Sequence, residues 1–108
     1  MKQAVTLERR HSPRLPCQYK AHVLVLSGLR AGDELQGEVL NISRDGLGMV
    51  MPSGLSNGDQ LGFVIFAEGS ESLCVGNVVW NSVFEKGARY GLRISRWSYL
   101  DSVLGDRL

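Results

Sequence analysis

The chain has 108 residues, 44% hydrophobic and 21% charged, which is the size of one domain and the composition of a folded rather than a disordered protein. No apolar run approaches the length of a membrane helix, and the N-terminus is polar without a signal-peptide core, so the expected location is cytoplasmic with no insertion into a membrane. The net charge of +1 is unevenly spread: residues 1–30 carry six basic side chains against Glu8, net +5, and the remainder six against ten acidic ones, net −4. A basic segment on a mildly acidic body fits a local anion site better than a surface that coats nucleic acid, although a solvated tail has the same composition.

Residues 1–16 read as an irregular arm, because Pro13 and Pro16 bias Ser12 and Leu15 towards extended geometry. Inside it lies Arg9-Arg10-His11-Ser12-Pro13-Arg14, with three residues between Arg10 and Arg14. At full stretch that spacing sets two guanidinium forks about 10–14 Å apart. Each fork donates two parallel hydrogen bonds to phosphate oxygens, and the same geometry matches O6 and N7 on a guanine edge. Arginine pairs at this spacing also arise by chance.

Residues 17–108 read as a single barrel domain with a C-terminal helix. A first strand is expected at 18–27, where Tyr19, Val23 and Val25 alternate with Lys20 and His22. The turn-rich Ser27–Asp33 then reverses the chain into a second strand at 34–43, and Asp45-Gly46 is a tight-turn pair before a third run, Leu47–Met51. Pro52–Asp59 is a loop. Leu61–Ala67 and Leu73–Trp80 follow as strands around Glu68-Gly69-Ser70-Glu71, and Tyr90, Leu92 and Ile94 alternate with Arg89, Gly91 and Arg93 in a half-buried sixth strand. Six short strands with glycine-rich reversals predict an all-β, six-stranded antiparallel barrel. Trp97, Leu100 and Leu104 fit one face of a short C-terminal helix that covers an end of the barrel or offers a partner surface.

Asn41-Ile42-Ser43-Arg44-Asp45-Gly46 is the second polar patch. Asn41 and Ser43 are two apart, so in a strand they share a face, with Leu40 and Ile42 expected to turn into the core. An amide and a hydroxyl together can accept from and donate to a guanine edge, and Gly46 is expected to supply a positive φ for the sharp turn. The same cluster occurs in ordinary hairpin turns, where the side chains satisfy local backbone groups.

Taken in order, R-x-x-x-R at Arg10 and Arg14 and N-x-S-x-x-G at Asn41, Ser43 and Gly46 resemble the PilZ domain, a six-stranded barrel that binds cyclic di-GMP. The likeness continues through Gly76-Asn77-Val78-Val79-Trp80 and Tyr90-Gly91-Leu92-Arg93-Ile94 and spans roughly residues 8–96. It implies that Arg10 and Arg14 wrap over the ligand, contacting phosphate and guanine, while Asn41 and Ser43 meet guanine from the barrel side. It also implies that Arg9, just before the motif, accompanies a stacked ligand dimer. Asn41 stands where Asp is commoner, so one of two carboxylate acceptors is replaced by a donor. The implied function is a cyclic di-GMP receptor whose arm is ordered by ligand and which passes the signal to an unidentified downstream protein in motility, biofilm or polysaccharide control. The competing reading is a ligand-independent interaction adaptor.

Nothing in the sequence points to catalysis, a cofactor or a metal: no nucleophile has a recognisable base, and His11 and His22 are isolated. His11 is either a ligand contact or solvated, and Arg44 either a phosphate contact or exposed. Cys17 and Cys74 have no metal-ligand spacing and read as reduced thiols. Trp80 and Trp97 read as core or capping residues. A nucleic-acid polymer is not an expected partner, since interleaved surface aromatics and a broad basic groove are missing.

Overall fold

A computed structural model of the chain describes residues 15–97. Six strands run β1 (Leu15–Val25), β2 (Glu34–Ile42), β3 (Gly46–Met51), β4 (Gln60–Ala67), β5 (Ser70–Phe84) and β6 (Gly87–Trp97). They close into an antiparallel barrel in the order β1-β2-β3-β6-β5-β4, β4 returning to pair with β1. The fold class is therefore the one the strand pattern predicts, with every expected strand present. Three differ by three residues or more at one end. β1 begins at Leu15, three residues early; β5 runs four residues past Trp80; and β6 continues through Trp97, which belongs to a strand and not to a helix. The rest of the expected C-terminal helix, and residues 1–14 of the arm with Arg9, Arg10 and Arg14, lie outside the described residues.

Period-two alternation builds the core. Val23 and Val25 on β1, Leu47, Met49 and Met51 on β3, Phe63 and Ile65 on β4 and Tyr90 and Leu92 on β6 all point inwards and are buried. Burying a side chain of this size contributes roughly 1.5–3 kcal/mol each. Cys74 is buried in the same core and Cys17 packs against it, both as free thiols. Burial raises the Cys17 thiol above its ordinary value. Tyr90 also serves the loop 52–59: its hydroxyl donates to the Pro52 carbonyl at 3.0 Å and accepts from the Leu55 amide at 3.3 Å.

The reversals follow local chemistry. Glu68 (φ 50°) and Gly69 (φ 84°) form a two-residue loop of the kind whose twist suits a hairpin, and Ala67 pairs with Ser70 across it. In the β4 approach, Asp59 Oδ2 accepts from the Ser56 amide at 2.8 Å, closing the turn. Arg30 ties the β1–β2 turn to the loop after β3, donating to Asp33 at 2.8 Å and to the Ser53 carbonyl at 2.8 Å.

Two bulges interrupt the alternation where it matters. On β2, Val39 pairs with Met49 and Asn41 with Gly48, so Leu40 is an extra residue. On β5, Val78 pairs with Leu92 and Trp80 with Gly91, so Val79 is extra. A bulge resets the face on which following side chains emerge.

Candidate ligand face

Those two bulges build one feature. Along β2 the inward positions are Leu35, Gly37 and Val39, and uninterrupted alternation would send Asn41 inwards too. The extra Leu40 turns Asn41 outwards and lets Ile42 pack on the core. Leu40 itself is outside the core cluster, contrary to the sequence expectation, because it occupies the bulge. Along β5 the inward positions Cys74, Gly76 and Val78 would likewise direct Trp80 inwards, and the extra Val79 turns it out. Trp80 is 42% exposed, so it is neither a core nor a capping residue.

Registered pairing then aligns Asn41, Gly48, Gly91 and Trp80 in one row across β2, β3, β6 and β5. Four strands place its ends roughly 14 Å apart. The two central glycines have their missing side chains on this outer face, since Leu47 and Met49 beside one and Tyr90 and Leu92 beside the other point inwards. A Cβ at Gly48 would lie 3.0 Å from the Asn41 amide nitrogen, and one at Gly91 would overlap the Trp80 indole nitrogen. Glycine here lets an amide and an indole lie close against the backbone. Arg89 and Arg93 stand on the same face two residues either side of Gly91, exposed, and neither forms a salt bridge among the described residues. A shallow groove of about 500 Å³ adjoins the Arg89 side, lined by Lys20, Glu38, Val50 and Lys86 among others.

Below the row, the turn after β2 is tightly closed. The Ser43 amide donates to the Gly46 carbonyl at 2.8 Å; the Ser43 hydroxyl donates to the same carbonyl at 3.2 Å and accepts from the Gly46 amide at 3.3 Å. The Asp45 carbonyl accepts from the Ile94 amide at 2.9 Å, fastening the turn to β6. Gly46 does not have the expected positive φ. It is glycine for another reason: a Cβ there would overlap the Leu92 carbonyl oxygen, where β3 and β6 approach closely.

Described residues also fix where the arm joins the barrel. Leu15 pairs with Ile42 and Pro16 with Asn41, so the chain enters β1 beside the strand end that carries Asn41 and Ser43. The family model for the PilZ domain matches residues 8–98. The chain belongs to the PilZ domain family.

Solved structures resemble this PilZ barrel. One is the inhibitor of motility MotI/DgrA of Bacillus subtilis, with TM-score 0.66 and 18% identity over 89% of this chain and 47% of that one. The present chain thus spans about half of that protein's length. Another is the PilZ domain of YcgR from Escherichia coli, solved with c-di-GMP, with TM-score 0.62 and 15% identity over 82% of this chain and 79% of that one. At these identities the likeness establishes the fold. No curated protein matches the chain.

Of the site residues expected from sequence, the PilZ barrel brings Asn41, Ser43 and Gly46 together at one strand end. Sequence reasoning missed Gly48, Gly91 and Trp80. A signal for the glycines was present, since each sits alone between large apolar residues inside a strand, a position that often marks close approach. Among the described residues no cluster of metal-ligating side chains occurs, and the His22 ring is held between Glu34 and Gln36 at 3.2 and 3.1 Å. No described helix is long and apolar enough to cross a membrane.

Proposed function

We propose that this chain is a cyclic di-GMP receptor that passes the signal to a partner protein without catalysing a reaction. The observation that carries the reading is the registered row from Asn41 to Trp80, lying beside the entry of the arginine segment into β1. Asn41 offers an amide to a guanine edge, and the Trp80 indole offers an aromatic face to a purine. Arg89 and Arg93 supply cations on the same surface. Arg14 is the residue before Leu15, so its Cα is about 3.8 Å from that strand end, and Arg10 reaches at most about 14 Å further. Their forks close over the phosphates and second guanine edge, and ordering the arm converts occupancy into a shape a partner reads. Arg9 supports a second, stacked ligand.

The Ser43 hydroxyl keeps one lone pair for a guanine N–H after its two bonds to Gly46. That closed turn is equally what a ligand-independent adaptor requires, and it is the observation favouring the second reading. Titration calorimetry with cyclic di-GMP separates the two. Saturable binding is expected, abolished in Arg10→Ala and Arg14→Ala with circular dichroism unchanged; unaltered binding by both variants defeats the role of the arm, and no binding by the native chain defeats the receptor reading. A stoichiometry of two ligands per chain supports the role of Arg9, and one contradicts it.

A further inference from the structure

The barrel closes between β4 and β5 only as far as Asn77, which pairs with Gln60. At Val78 the loop before β4 takes over: the Gly58 amide donates to the Val78 carbonyl at 2.7 Å, and the Val78 amide to the Asp59 carbonyl at 2.9 Å. Beyond that point β5 is paired with β6 alone, and Val79–Phe84 has no backbone partner on its other side among the described residues. Among the described residues the bond that reaches across is between side chains, from Asn81 to Asn57 at 2.8 Å. Six residues make an open edge about 20 Å long.

Open edges in natural sheets are normally blunted by lysine, proline or an inward charge, because their unpaired amides and carbonyls template another strand. Val79-Trp80-Asn81-Ser82-Val83-Phe84 has none of these, in a chain that is 21% charged. Its apolar side chains are held out in water: Val83 is 66% exposed, Val79 48% and Phe84 46%. High β-propensity, no charge and no proline over six residues form the signature of a strand that pairs with another.

We propose that this edge is a homodimer interface in which β5 of two copies pairs antiparallel about a twofold axis, joining two barrels through one continuous sheet. The segment is complementary to itself. A twofold axis normal to the sheet sets each residue against one an even number of positions away. Centred on Ser82, it places Trp80 of one copy opposite Phe84 of the other; centred on Asn81, it places Val79 opposite Val83. Either way a polar uncharged residue meets its twin at the axis and large apolar residues flank it, the kind of cross-strand pair that stabilises a ladder. With no charge on the edge, nothing selects a charged foreign strand over a second copy.

Sedimentation velocity on the ligand-free full chain, from about 10 μM to about 1 mM, tests this independently of cyclic di-GMP. A concentration-dependent dimer is expected, weakened at least about tenfold in Val83→Lys and in Val79→Lys, while Leu73→Lys, on an exposed position away from this edge, leaves it unchanged. Hydrogen exchange at those amides of residues 79–84 that face away from β6 should slow as concentration rises. The proposal is overturned by a monomer at every concentration, or by a dimer insensitive to both edge variants. Slow exchange of those amides at all concentrations would also overturn it, since another part of the same chain would then cover the edge.

Discussion

The two halves of β5 are one strand put to opposite uses. From Cys74 to Asn77 it is paired with β4 on one side and β6 on the other, and its alternate side chains fill the core. Past the bulge at Val79 only β6 remains among the described residues, and every residue from Val79 to Phe84 is exposed. Closure is what lets a side chain be spent on packing. Where closure stops, the same residue types become surface, and the bulge decides which of them joins the row from Asn41 to Trp80. Core packing and surface display are thus separated along a single strand by one inserted residue.

The largest effect that sharpens this contrast comes from making one substitution in both halves. Val78→Asp buries an unpaired carboxylate in the core and should destabilise by about 3–5 kcal/mol in urea unfolding, enough to leave much of the chain unfolded. Val83→Asp, on the open half, should change stability by no more than about 0.5 kcal/mol. Comparable losses would break the distinction.

Next in size, Tyr90→Phe removes the hydroxyl that serves Pro52 and Leu55 and leaves a buried amide without its acceptor, for a loss of about 1–3 kcal/mol. The loop 52–59 should show it first, as faster amide exchange at Leu55.

Trp80→Ala should leave the melting curve nearly unchanged while weakening cyclic di-GMP binding by about 1–3 kcal/mol, ten- to over a hundredfold in calorimetry. A lowered melting point with intact binding would return Trp80 to a packing role.

The smallest effect is from Cys17. Burial raises its thiol pKa in the fold, so the native state holds the proton more tightly than the unfolded chain. Its contribution is complete below the ordinary thiol value of 9.0 and is lost as pH climbs from there through the raised value. Urea midpoints should therefore fall slightly more steeply above pH 9 in the native chain than in Cys17→Ala.

Much of this molecule was legible from residue order. Alternation along Tyr90, Leu92 and Ile94, and the polar reversals at Asp45-Gly46 and Glu68-Gly69, determined six strands and an all-β fold, because inward and outward positions in a strand are fixed by a period of two. The two motifs, Arg10 with Arg14 and Asn41 with Ser43 and Gly46, determined the family, since their residue types and spacing survive without coordinates. What tertiary structure alone decided was register. A single extra residue at Leu40 or at Val79 reverses every following side chain, and nothing in either stretch announces it, because a bulge exists only relative to the neighbouring strand. That is why Trp80 reads as core in sequence yet stands on the surface beside Gly91. It is also why the reach of β4, which stops short of Val79, had to be seen before β5 could be recognised as partly unpaired.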